Sequence, residues 1–366
     1  MHTTHQMSEE QKQALLQKYE PLITLIYFLN CMGLRKQIKR LYHLLYKVDE
    51  ITIDFMIADL IQNGFLINRK ITNSTRCSML YLSKWPRAQF EDGKGSGDIS
   101  SLCFSQAKLM SHIFKVDYII DVIIPTMKKS NLPITLEYIA GYLDWLGCNL
   151  LIPASQVSNI DFYESYEKTF KNNGYSLSND FYRDIECAAY EKSSFIASKS
   201  KDAIVLEGCD TKLQRDAIAD SYSSDIERNK QFYNLNNFAS HGFVMSGINE
   251  LDTNEVSISY FDYGNNLQTK KLWQQLGYIL LMFQRYTSNL DIRLKVNIYV
   301  WDEDRKKHLE NEEHKQAYDF YRQEWVEENK AHHTLKSIGI LPSNWDNITT
   351  EYIIDSIYEK YNITNY

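Results

Sequence analysis

Cysteine is scarce in this chain, and what there is lies scattered. The six residues at positions 31, 77, 103, 148, 187 and 209 never form a CxxC pair. That spacing excludes a zinc module, and a chain of 366 residues does not need disulfide staples to fold. Reduced, buried or half-buried thiols in a cytoplasmic setting are the expectation. Long apolar runs are missing too. The nearest, Tyr118–Pro125, holds Asp121 in its middle, and Tyr278–Phe283 is flanked by Gln and Arg. Neither reaches the ~18–20 residues of a membrane helix, so no membrane association is expected. The opening MHTTHQMSEEQKQ lacks a basic-then-apolar signal pattern, and export is not expected.

Several catalytic signatures are also absent. There is no GxSxG elbow and no Rossmann glycine set. The GKGSG run within Glu91–Ser100 lacks the GxxxxGK[ST] order, and no strand feeds it, so it reads as a linker. His308 and His314 stand six residues apart, on opposite sides of a helix, and cannot share a zinc ion as an i, i+4 pair does. His332 and His333 are adjacent and point apart. No metal or cofactor is expected.

What is present begins with charge asymmetry. The whole chain carries −7, yet residues 1–90 hold 12 Lys/Arg against 7 Asp/Glu. A locally basic module on an acidic body is compatible with DNA binding, because phosphates respond to the local field. The apolar fraction of 44% is enough for a buried core, and the length predicts two or three domains.

Periodicity predicts three helices and a hairpin in residues 1–90. The first helix covers 12–30, with Pro21 kinking or splitting it. A second, 34–46, buries Leu34, Ile38, Leu41 and Leu45. A third takes Thr52 as N-cap, buries Ile53, Met56, Ile57, Leu60 and Ile61, and ends at Gly64. Strand candidates Phe65–Ile71 and Cys77–Ser83 flank the polar turn Thr72–Arg76. Helix, glycine, strand, polar tip and returning strand form the pattern of a winged helix.

The cations fall on the second helix (Arg35, Lys36, Lys39, Arg40, Lys47) and the hairpin region (Arg69, Lys70, Arg76, Lys84, Arg87). The third helix, which enters the major groove in most such domains, carries Asp54 and Asp59 and no Lys or Arg. Contact with double-stranded DNA through the second helix and the wing is therefore one expectation, and a protein-binding winged helix is the other.

Beyond the linker 91–100, a helical connector is expected over 101–152, one helix ending near Pro125 and another spanning 135–150. Residues 153–301 read as a mixed α/β core. Helices are expected at 161–173, 180–191, 211–237 and 268–286, with strands at 194–198, 203–206, 241–249, 256–262 and 292–300. The last alternates Ile292, Leu294, Val296, Ile298 and Val300 on one face. Residues 302–366 read as a long charged helix to about 336, a surface for homodimer formation, and a final helix over 350–361.

Five pieces in order resemble the replication-relaxation family of bacterial mobile elements and phages. They are the winged helix at 34–83, Ser111–Asp117 (SHIFKVD), Lys201–Leu206 (KDAIVL), Ile258–Gly264 (ISYFDYG) and Val296–Arg305 (VNIYVWDEDR). The resemblance implies an α+β chain with an N-terminal winged helix and a C-terminal restriction-endonuclease-like core with a mixed sheet. It further implies a DNA-binding regulator or a replication or transfer factor. Metal-dependent cleavage on that fold needs paired carboxylates and a nearby lysine. The acid candidates are Glu186, Asp202 and Asp262. Tyr260 stands where the family's glutamate would be, no lysine lies two residues past any of the three on a strand, and the long sequence separation of Asp202 and Asp262 implies an inserted helix and hairpin. The expectation is a core without catalysis, with Asp202 and Asp262 as residual positions.

Overall fold

The computed structural model describes residues 7–71, 77–91, 95–99, 101–102, 106–145, 151, 160–172, 174–185, 234–248, 254–262, 269–310, 347–361 and 363. The chain is mixed α+β and divides into two compact units, Met1–Gly141 with Asp355–Tyr366, and Tyr142–Ile354. The segments 91–100 and most of 101–152 thus belong with the first unit. No helix among the described residues is long and apolar enough to cross a membrane.

The first unit opens with α1 (Glu9–Lys18), capped by Ser8 in a reciprocal box with Gln11. Tyr19 separates it from α2 (Glu20–Phe28), whose first turn accommodates Pro21 because that turn needs no N–H. The first helix is therefore split. A short strand not expected from the sequence, β1 (Met32–Leu34), leads into α3 (Arg35–Tyr46). Then come α4 (Glu50–Gln62), β2 (Leu66–Lys70), β3 (Ser78–Leu82) and α5 (Lys84–Ala88). The N-cap of α4 is Asp49, whose carboxylate accepts from the Thr52 backbone N–H at 2.9 Å. Thr52 is three residues inside, which corrects the sequence expectation. Asp49 wins because its carboxylate meets the positive helix end. Gly64, at φ +73, closes the helix as expected, with the Phe65 N–H returning to the Leu60 carbonyl.

The three strands pair antiparallel in the order β1-β3-β2. Leu22, Ile26, Ile38, Leu41, Ile53, Ile57, Leu60 and Leu80 fill the space between helices and sheet, none with measurable exposure.

The helix expected to end near Pro125 instead continues. It runs as α6 (Gln106–Tyr118), a wide π turn over Ile119–Ile123, and α7 (Ile124–Lys129). Pro125 lacks an N–H, and its ring would strike the carbonyl four residues back in a regular helix. The wider turn fits the proline, with the Ile124 N–H donating five residues back to Ile119. α8 (Leu136–Trp145) follows.

In the second unit, α9 (Ile160–Asn172), a helix over 179–185 and α10 (Leu235–Ser240) precede the sheet. Strands β4 (Phe243–Ile248) and β5 (Glu255–Asp262) form the expected antiparallel pair. The helix α11 (Thr269–Thr287) carries the chain to β6 (Arg293–Val300), parallel to β5, and β7 (Ile348–Ile354) is parallel to β6. Leu294, Val296, Ile298 and Val300 are all buried, as their alternation requires. They pack with Phe170, Phe181, Phe238, Phe283 and Tyr286 in an aromatic-rich core.

Residues 350–361 are not one helix. They divide into the end of β7 and α13 (Ile357–Tyr361), because the β-branched run Ile348-Thr-Thr finds an open edge on β6. Of the charged helix expected after residue 302, α12 (Glu303–Glu310) is described and the remainder lies outside the described residues. The same holds for the strands expected at 194–198 and 203–206.

Candidate nucleic-acid interface

The basic face of α3 is turned largely onto partners within its own unit. Arg35 Nε lies 2.9 Å from Asp54, and Lys39 Nζ lies 2.6 Å from Asp54 and 3.1 Å from Glu50, all on α4. The Lys39 side chain keeps only 16% of its exposure. Arg40 pairs with Asp121 at 2.6 Å, and Lys36 Nζ approaches the Lys360 carbonyl at 3.5 Å. Lys47, left-handed at φ 59, donates to the Leu44 carbonyl at 3.1 Å. The ammonium of Lys39 holds the Asp54 carboxyl below its usual range against the opposing effect of burial, and Arg35 adds to this.

The acids of α4 are therefore internal counter-ions. Asp59 likewise takes the Tyr19 hydroxyl at 2.5 Å and Lys18 at 3.2 Å. Besides the polar Glu50, Thr52 and Gln62, α4 exposes two large apolar side chains, Ile51 at 70% and Phe55 at 71%. They stand one turn apart on a single face, next to Ala58, also exposed.

The hairpin differs. Along β2, Asn68, Arg69 and Lys70 are exposed, and Lys84 is exposed at the start of α5. The Arg69 guanidinium lies 5.8 Å from the Tyr81 ring centroid, a cation–π contact that leaves its charge on the surface. Among the described residues, no carboxylate pairs with Arg69, Lys70 or Lys84. Arg76 lies outside the described residues. Arg87, counted with the wing from the sequence, is buried beside Cys31 and cannot reach a phosphate. Its burial follows from α5 folding back against the core. Cys31 and Cys77 are both buried free thiols, and burial raises the Cys31 thiol to about 11.

In the second unit Asp262 ends β5 and is buried against Arg305 of α12, with Nε to Oδ2 at 2.5 Å. Burial raises the Asp262 carboxyl, with Arg305 opposing it. Tyr260 is buried, its ring 4.9 Å from that of Phe243, and the other acid of the strand, Glu255, stands at its far end from Asp262. Asp202 and Glu186 lie outside the described residues.

One acidic cluster went unnoticed in the sequence. Asp117, Asp121 and Asp355 bring their carboxylates within 4.8 Å of one another. Lys360 Nζ already stands among them, 3.2 Å from Asp117 and 3.0 Å from Asp121, and bonded to Asp355. The positions are more than 230 residues apart in part, and no local pattern could have joined them.

Among family models, curated proteins and solved structures, nothing matches this chain.

Proposed function

We propose that the first unit is a winged helix that docks on duplex DNA chiefly through its hairpin. On this reading the chain is a non-catalytic regulator or a replication or transfer factor of a mobile element. The observation that carries it is the distribution of uncompensated charge. Arg69, Lys70 and Lys84 are exposed and have no carboxylate partner among the described residues, on the hairpin and just after it, while the α3 cations are largely compensated. The sequence order helix, strand, helix, helix, strand, strand, with the first strand paired to the last, supports the winged-helix reading. A restriction-endonuclease-like core is our reading of the second unit, supported by the β4–β5 hairpin and the helical crossover to parallel β6. The pinning of Asp262 by Arg305 supports a scaffold without cleavage chemistry.

Fluorescence anisotropy with labelled duplex tests this. Arg69→Glu with Lys70→Glu should weaken binding at least tenfold, whereas Arg35→Gln with Lys39→Gln should leave it within about twofold. Full affinity in the hairpin double mutant rejects the reading.

A second reading has its own observation. Ile51 and Phe55 present a large apolar face where a groove-reading helix would carry polar groups. A protein-docking winged helix would use that face. Phe55→Ser would then abolish partner capture while leaving any DNA binding intact.

A further inference from the structure

The C-terminal segment returns to the first unit after the chain has built the second. Its anchoring there is partly apolar, with Ile357, Tyr361 and Ile363 buried. The rest is a compact charge cluster. Lys360 Nζ contacts Asp117, Asp121 and Asp355, and the Tyr361 hydroxyl donates to Asp117. On the other side, Arg40 of α3 pairs with Asp121, Gln37 Nε2 donates to Asp117 at 2.7 Å, and Lys36 reaches the Lys360 carbonyl.

We propose that residues 355–361 form a latch on the first unit whose grip is set by the charge balance of this cluster and tightens on acidification. The inference is independent of whether the unit binds DNA.

The balance can be read group by group. Three carboxylates, Asp117, Asp121 and Asp355, face two close cations, Lys360 and Arg40. Among the described residues, Lys36 reaches the Lys360 carbonyl and pairs with none of the three carboxylates. The Tyr361 hydroxyl stays protonated, since burial and Asp117 both push it upward. Lys360 stays charged, because Asp355 and its neighbours raise it against the cost of burial. The cluster is therefore one positive charge short, and one proton completes it.

Asp355 is the group placed to take that proton. Burial raises its carboxyl to about 6; Lys360 opposes this, and Asp117 and Asp121 add to it. When the segment is released, Asp355 returns to the ordinary carboxylate range near 4. Its pKa is thus higher in the latched state, so latching takes up a proton. The added grip is fully present below about pH 4 and is lost as pH rises through about 6. Two units of difference set an upper limit of about a hundredfold on the latching equilibrium. Simple loss of the Lys360–Asp355 pair on protonation would give the opposite sign, so the experiment separates the two.

Amide hydrogen exchange on the full chain, corrected for the intrinsic pH dependence of exchange, reads the latch directly. The Lys360 amide donates to the Ser356 carbonyl at 2.8 Å, so its exchange reports on the opening of α13. Its protection should rise up to about tenfold from about pH 7.5 to about pH 5, relative to amides of α4. In Asp355→Asn the protection should be high and independent of pH. Protection that is flat or falls on acidification overturns the proposal, as does an Asp355→Asn protein with wild-type pH dependence. Lys360→Met supplies a second measurement. Loss of protection confined to 355–361 supports the latch; unchanged protection, or loss shared equally by α4, overturns it.

Discussion

Asp262 and Arg305 share a buried ion pair at 2.5 Å, and removing one partner strands the other's charge. Breaking such a pair costs about 3–5 kcal/mol, while replacing both members together costs much less. Arg305→Met should therefore destabilise the second unit strongly, and Asp262→Asn in the same chain should restore part of the loss. Denaturant unfolding of the single and double variants measures this, and strict additivity would contradict it. His112 gives a titration with the opposite sign to Asp355. It is buried with Nε2 2.9 Å from the Met32 carbonyl, and burial lowers its pKa to about 4. A lowered pKa means that its contribution is complete above about 6.5 and is lost as pH falls toward 4. The loss is at most about 3 kcal/mol. Because Asp355 gains over nearly the same window, wild-type stability alone is a poor readout. The difference between wild type and His112→Gln should shift toward the variant as pH falls from 7 to 4, by thermal unfolding at fixed salt.

Among the elements, α4 and its exit illustrate how local chemistry fixes a boundary. Gly64 at φ +73 lets the chain reverse into β2, and a methyl group there would meet no atom within 4 Å. The cost of Gly64→Ala is thus purely conformational, about 1 kcal/mol. Gly33 behaves differently. Its φ is unremarkable, but a Cβ would lie 3.0 Å from Ile38 Cγ1, because β1 runs directly into α3. Gly64→Ala should then lower the unfolding free energy modestly and leave the hydrogen exchange pattern of α3 unchanged. A loss above about 3 kcal/mol would show a steric role that this geometry lacks.

For the whole molecule, charge is divided unevenly. The first unit holds 18 Lys/Arg and 15 Asp/Glu, the second 22 and 32. An overall negative chain can still bind DNA where its cations are locally uncompensated, and the binding is then limited by how many reach phosphate. If the contacts are Lys47, Arg69, Lys70 and Lys84, the slope of log affinity against log salt should be about −3 to −4. If all the cations expected from the sequence except the buried Arg87 engage phosphate, the slope should be about −8. Anisotropy titrations at four or five salt concentrations distinguish these values.

The sequence by itself determined most of what is local. The stripe Ile38, Leu41 set the buried face of α3, Gly64 ended α4, and the alternation from Ile292 to Val300 set β6, because each is dictated by neighbours within two turns or one strand. Tertiary structure decided which charges are available. Arg35 and Lys39 look like DNA contacts in the sequence, but α4 sets Asp54 against them, and Arg40 meets Asp121, 81 residues away. It also decided the C-terminus. Residues 350–361 show enough helical spacing to read as one helix, yet parallel pairing with β6 stabilises extended backbone up to Ile354. The remainder then folds as α13 over Asp117. Backbone preference is a property of a short window of residues. The partner of a charge is a property of distant chain segments, and only packing brings those together.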